Sequence, residues 1–204
     1  MKRTHGAFVL VLVTVLLSIS CGFAGYVPVE INDIPFPTGD VPGDLAGDFE
    51  TIVTSATELV LRELPSAILI AFQYKGTRSS LVTLDGVMYF DYTERRWGLD
   101  RELAVWATVT ADRAEGFMSL RTSDPIPYYG RTQAISLTQG VGLSKIASLA
   151  DQQIAYLGIG DCYVRLLYSG ADWRTLCYPP GSDGLGEVLC DFRIDAMTGE
   201  ATPD

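Results

Sequence analysis

Two stretches of helical period, each followed by a succession of short β-rich runs, constrain the fold of this chain more than any other feature. Phe49, Ile52, Val53, Ala56, Leu59, Val60 and Leu64 recur at the spacing that places apolar side chains on one face of a helix. Asp48 stands where it can cap the start. Leu64-Pro65 ends the helix, because the residue before a proline avoids the helical region. Strand-length runs follow at 67–74, 81–84, 87–92, 103–111, 117–122 and 132–138. Asp85-Gly86 favours a tight hairpin between the second and third of these. Alternation is clearest at 103–111, where Leu103, Val105, Ala107 and Val109 oppose Trp106, Thr108 and Thr110. Pro125 and Pro127 confine the connection between the last two runs to a loop. The order then repeats: residues 143–157 suit a helix opened by Gly142 or Ser144, and 163–168, 174–178 and 188–196 read as strands. The expected fold is α+β, with antiparallel sheet packed by two main helices and the helix-then-strands order occurring twice. The globular region spans 49–204, either as one sheet or as sub-lobes at 49–139 and 140–204.

The N-terminus bears on the compartment. Lys2 and Arg3 precede an apolar run from 7 to 19 broken only by Thr14 and Ser18. That run is too short to span a bilayer and suits the core of an export signal, so residues 1–24 are expected to be a signal peptide. Two processing outcomes stay open. Gly22 and Ala24 fit the small-residue rule and would leave Gly25 first, whereas Cys21-Gly22 resembles a bacterial lipoprotein site at which Cys21 is lipidated. The expected location is the periplasm or cell surface, with a lipid on Cys21 as the sole membrane contact. Residues 25–48, rich in Pro and Gly and without periodicity, read as a linker, and its Gly-Asp pairs at 39–40, 43–44 and 47–48 read as solvated turns.

Several function classes fall away on composition. The single histidine is His5, inside the expected signal, so the mature chain holds no His for a Ser-His-Asp or Cys-His system or a His-containing zinc site. Removing residues 1–24 takes away Lys2 and Arg3 and no acidic residue, so a net charge of −10 becomes −12. Such a surface repels nucleic acid. Gly140-Val-Gly142-Leu-Ser-Lys145 precedes a helix, but a dinucleotide fingerprint needs Gly where Lys145 stands, and a P-loop needs Gly-Lys-Ser/Thr. Lys75 and Lys145 are the lysines after the signal and neither lies three residues after a serine, as Ser-Lys catalysis would require. No cofactor, metal or catalytic residue is expected.

Cys162, Cys177 and Cys190 remain in an oxidising compartment. Cys177 and Cys190 are centred on the turn dipeptide Asp183-Gly184, and Cys162 and Cys177 on Ser169-Gly170, so an antiparallel meander would place all three in one row. The preferred bond is Cys177–Cys190, with Cys162 competing for Cys177. Tyr89, Tyr92, Trp97, Tyr128 and Tyr129, near Arg95 and Arg96, are the candidate ligand contacts.

The chain closes on Phe192-Arg-Ile-Asp195-Ala-Met-Thr198-Gly199-Glu200 after a helix and short strands. Residues 143–201 are in this respect similar to PepSY domains, whose last strand often runs into an Asp-Ala-x-Thr-Gly-Glu turn. The resemblance implies an exported or membrane-associated α+β module that restrains or regulates peptidases and supplies no catalytic residues. The reading that follows is a noncatalytic binding or regulatory module of the cell envelope, contacting a peptide or a peptidase. A lipoprotein carrying an apolar ligand is the alternative, and a carboxylate-based envelope hydrolase the third.

Overall fold

The computed structural model describes residues 23, 25–37, 45–98, 100–137, 140–168 and 170–203, with side chains in the first helix from Phe49 onward. Cys21 and the rest of the expected signal other than Phe23, and the Gly-Asp pairs at 39–40 and 43–44, lie outside the described residues. The elements run β1 (Glu30–Pro35), α1 (Leu45–Glu63), β2 (Ile68–Thr77), α2 (Arg78–Leu81), β3 (Val87–Trp97), β4 (Glu102–Asp112), β5 (Phe117–Thr122), β6 (Ile126–Pro127), α3 (Leu143–Tyr156), β7 (Tyr163–Tyr168), β8 (Asp172–Tyr178), β9 (Cys190–Asp195) and β10 (Ala201–Pro203). Helices and an antiparallel sheet make a mixed α+β fold. The ten strands form one sheet in the order β1-β5-β4-β3-β2-β7-β8-β9-β10, with β6 added beside β4.

Period-two alternation decides which face of each strand is buried. Phe72 and Tyr74 of β2, Met88, Phe90 and Tyr92 of β3, Val105, Ala107 and Val109 of β4, Val164 and Leu166 of β7, and Trp173, Phe192 and Ile194 beyond them are all buried. They form one core with Phe49, Ile52, Ala56 and Val60 of α1 and Leu143, Ile146, Ala147, Ala150 and Ile154 of α3. Phe72 is its hub. Its ring lies 5.7 Å from Phe49, 5.2 Å from Phe90 and 5.8 Å from Trp173, which in turn stacks on Tyr168 at 4.5 Å. One side chain thus touches α1, β3 and β8.

Arg78 ties α2 to α3. Its Nε donates to Asp151 Oδ1 at 2.7 Å and its Nη1 to the carbonyls of Ile159 and Gly160 at 2.5 and 3.1 Å. The end of α3 is closed by Gly158, whose φ of +72° suits glycine, and by the Gly158 and Ile159 amides donating back to Ala155 and Ile154. Thr175, wholly buried in β8, is the residue whose side-chain oxygen has no partner among the described residues.

Several sequence expectations need correction. The first helix is under way at Leu45, so Asp48 lies within it, and Leu59 is half-buried while Ile52, Ala56 and Val60 carry the buried stripe. The segment 25–48 is not wholly a linker: β1 pairs with β5, and the Tyr26 hydroxyl donates to Thr122 Oγ1 at 2.6 Å. Asp85-Gly86 joins no hairpin, because residues 78–81 form a helical turn that buries Leu81, with Leu84 buried one turn later. No strand covers 132–137, and residue 138 lies outside the described residues. That stretch crosses the sheet end instead, with the Ile135 amide donating to the Leu69 carbonyl at 2.9 Å, where the β2–β3 register shifts. β7 pairs with β2 from Phe72 to Thr77, so Ile135 meets β2 ahead of that ladder without extending into a strand. Ile126 and Pro127, expected in a loop, form the short β6.

Replacing Phe72 by Ala should destabilise the fold by about 3–5 kcal/mol, the range for deleting a buried aromatic ring. The denaturant midpoint measures it. A loss near the surface-substitution level of about 0.5 kcal/mol would remove Phe72 from the centre of the core.

Candidate functional site

The strand positions that alternate with the core share the opposite face of the sheet. Register aligns them in rows. One runs Ser119, Thr110, Tyr89, Gln73, Leu167, Arg174, Arg193, and the next Phe117, Asp112, Val87, Lys75, Arg165, Leu176, Asp191. A hollow of about 450 Å³ lies on the first row, lined among others by Gln73, Asp91, Leu167, Arg174 and Arg193. A second, of about 530 Å³, opens toward the β1 edge beside Glu30, Trp106, Thr108 and Arg121.

Most charges on this face are paired. Arg174 makes a two-pronged contact with Asp191, at 2.9 and 2.5 Å, and Arg193 lies 3.8 Å from Asp172. The Arg174 hydrogen bonds hold the Asp191 carboxyl below its ordinary value, against a smaller opposing effect of burial. Asp91 accepts from Thr108 at 2.6 Å. Lys75 and Arg165 face each other directly across the β2–β7 pair, as Arg174 and Arg193 do across β8–β9, an arrangement that is unfavourable for like charges. Lys75 and Arg165 differ in that, among the described residues, neither is in an ion pair. The Lys75 ammonium sits 4.4 Å above the Tyr89 ring, and Gln73 turns its carboxamide oxygen to Arg165, accepting from Nη2 and Nε at 2.8 and 2.7 Å. Partial burial first, and Arg165 second, pull the Lys75 ammonium below the usual lysine range, against an opposing effect of Asp91.

The loop between β8 and β9 walls this part of the face. Cys177 and Cys190 stand opposite each other in register and are joined by a disulfide across the base of the loop. The loop returns over β7: Gly184 (φ +84°) lies so close that an added Cβ would meet Arg165 Cδ at 2.9 Å and Tyr163 Cε1 at 3.0 Å. Only glycine satisfies both the positive φ and this approach. Arg165 Nη1 also donates to the Gly184 carbonyl at 3.4 Å. Among the described residues Cys162 is the free cysteine, buried, and burial pushes its thiol upward in pKa.

The expected contact residues scatter. Tyr89 lies on this face beneath Lys75. Tyr92 does not: it is in the core, 3.0 Å from the Thr57 hydroxyl, with its phenol pushed up to about 12 by burial. In β3, Phe90 and Tyr92 share one parity and Tyr89 has the other. Trp97 (72% exposed) and Tyr129 (86% exposed) project at the far end of β3 and β6, where Tyr128 lies under Arg95 at 5.3 Å and donates to Thr132 at 2.9 Å. Arg96 binds the fully buried Glu94, which also accepts from the Ser66 amide at 2.7 Å. Sequence reasoning missed Lys75, Arg165, Gln73 and Arg174. Each reads alone as a solvated polar position in a strand, and the register brings them together.

The closing motif is a β9–β10 turn. The Asp195 carboxylate accepts from the amides of Thr198 and Met197 at 2.6 and 2.8 Å, which lowers its pKa, and the Gly199 amide returns to the Asp195 carbonyl at 2.9 Å. Among the described residues no group of His, Cys, Asp and Glu is gathered to hold a metal ion. What this face presents is charge, aromatic rings and hydrogen-bonding groups in register. Comparison of the chain with protein-family models, with curated proteins and with solved structures gave no match.

Asp191 and Asp195 both have depressed folded-state values, so the stability they contribute is present above the unfolded value near 3.8 and is lost as pH falls through the folded values. Asp191→Asn should therefore flatten the acid limb of a thermal-midpoint profile while lowering the midpoint at neutral pH. An unchanged profile would show that the Arg174 contact does not bias folding. Cys177→Ser with Cys190→Ser should cost about 3 kcal/mol, from loop entropy in the unfolded chain. A loss within measurement error would show that the staple constrains nothing.

Proposed function

We propose that the chain is an exported, noncatalytic binding or regulatory module of the cell envelope, which takes an extended peptide segment of a partner, a peptidase included, on the sheet face turned away from the core. The observation that carries this is the asymmetry of the sheet. We read α1 and α3 as lying over one face, where their apolar stripes share the core with the strands. The other face carries long polar and aromatic side chains in register and two hollows. Side chains at regular spacing on a sheet face suit an extended chain, whose own side chains recur with the same period. The PepSY-like reading of residues 143–201 points the same way. Carriage of an apolar ligand between helix and sheet is less well supported, because Phe72, Phe90, Tyr92 and Trp173 fill that space.

Export is part of the proposal. The Cys177–Cys190 disulfide fits an oxidising compartment, and among the described residues no helix is long and apolar enough to cross a membrane. Phe23 favours one processing outcome over the other. It is buried, meets Tyr26 edge-on at 5.8 Å and lies 4.7 Å under the Arg96 guanidinium. Cleavage that left Gly25 first would strip this residue from the body, whereas processing at Cys21 keeps it. We therefore expect mass spectrometry of the exported protein to find Cys21 as its first residue, lipidated. A product beginning at Gly25 would contradict that.

The binding reading is tested by selecting peptides from a random displayed library on the purified protein and mapping the selected peptide by amide chemical-shift changes. Shifts concentrated at Tyr89, Thr110, Ser119 and Leu167 are expected. Shifts confined to the exposed sides of α1 and α3, or a library that yields no binder, would overturn it.

A further inference from the structure

We infer that the seam between β2 and β7 is a subsite for a carboxylate side chain of an acidic, extended peptide, held between Lys75 and Arg165 under the disulfide-stapled loop. The inference rests on the proposal that the open face binds a peptide, and it names the chemistry of the segment bound.

Three independent features converge there. The first is charge. In a chain of net charge −10, two cations stand directly opposite each other at the centre of the sheet. Among the described residues neither is in an ion pair: Lys75 rests on the Tyr89 ring, and Arg165 is occupied by the neutral oxygens of Gln73 and Gly184. Asp91 exerts an opposing pull on Lys75, and its carboxylate accepts from Thr108. On the same face Arg174 is balanced by Asp191 and Arg193 by Asp172. Like charges placed face to face destabilise a sheet. An anion bound between them would reverse the sign of that interaction.

The second is shape. Tyr163, two residues from Arg165 on the same face, is paired with Tyr178 of β8, their rings 6.5 Å apart, and the hollow of about 450 Å³ begins two residues along in the other direction, at Gln73 and Leu167. An extended peptide seated at the seam can place one side chain between the cations and another, two residues away, in the hollow.

The third is the wall. Gly184 packs on the aliphatic part of Arg165 and on Tyr163, which fixes the guanidinium in place before any ligand arrives. The same loop exposes Leu185 (73%), Val188 (45%) and Leu189 (41%), an apolar rim beside a cationic floor. Preorganised cations beside apolar surface are what recognition of an acidic peptide needs, because the side chains lose little freedom on binding.

The test uses the purified full-length exported protein with its disulfide intact. Calorimetry at low salt compares an eight-residue oligoglutamate, the matched oligoglutamine and inorganic phosphate. Oligoglutamate should bind and oligoglutamine should not. Phosphate should be at least tenfold weaker, since a free anion gains nothing from the rest of the face. Lys75→Gln and Arg165→Gln should each lower oligoglutamate affinity at least tenfold. Lys75→Gln should also leave the thermal midpoint unchanged or raised, because it relieves the like-charge pair, which a purely structural lysine would not do. Phosphate binding as tightly as oligoglutamate would overturn the peptide assignment, and oligoglutamate binding unchanged in both variants would overturn the subsite. Oligoglutamate binding only as the protein self-associates, seen by sedimentation, would move the occupant to a second copy of this acidic chain and overturn it too. If library peptides map to the open face but these variants bind them normally, the subsite fails while the binding face stands.

Discussion

The antiparallel ladder between β2 and β7, running from Phe72 opposite Tyr168 to Thr77 opposite Tyr163, is where two helix-then-strands halves become a single sheet. Each half alone would leave an edge strand with unpaired backbone donors and acceptors. Pairing the two edges satisfies both, and it places Phe72, already against Phe49 and Phe90 of its own half, within reach of Trp173 from the other. Removing that ladder would part the core as well as the sheet, because the contact between Phe72 and Trp173 needs both halves in place. Arg78, at the end of β2, adds a polar tie to α3 through Asp151 and two carbonyls.

The same pairing builds the candidate site. Because side chains alternate along a strand, the register that puts Phe72 and Tyr74 into the core puts Gln73 and Lys75 onto the opposite face. Tyr168 and Leu166 likewise go in, and Leu167 and Arg165 go out. A shift by one residue would exchange every one of these positions. The like-charge pair is thus not separable from the core: the contact that stabilises the inner face forces Lys75 and Arg165 together on the outer one. The disulfide then fixes the loop that lies on Arg165, so compartment, covalent structure and surface charge meet at one place.

Much of the fold was legible in the sequence, for stated physical reasons. The stripe from Phe49 to Leu64 and the alternation at 103–111 are long and strongly periodic, and they correspond to α1 and β4. The Cys177–Cys190 pairing follows from a turn centred on Asp183-Gly184, and the register agrees. Short features were not legible. Leu81 and Leu84 look like a strand flanking Asp85-Gly86, yet their spacing of three also fits the helical turn that forms. Ile135 sits in a β-rich run, but it meets β2 only at Leu69, ahead of the ladder that β7 forms from Phe72 to Thr77, a fact about topology that no local pattern holds. The site was least legible of all. An aromatic cluster drew attention to Tyr92 and Trp97, of which one is in the core and the other at a remote corner. The residues that do converge, Lys75 and Arg165, are far apart in sequence and are joined only by long-range strand pairing.

Native-state hydrogen exchange tests the central claim, that the β2–β7 ladder unites the chain as one cooperative sheet. If the account is right, amides of Phe72, Tyr74, Leu166 and Tyr168 exchange only through global unfolding, with the same free energy as those of Phe90 and Val109 between β3 and β4. Seam amides that exchange well before those of β3 and β4 would show that the halves part independently, and would contradict it.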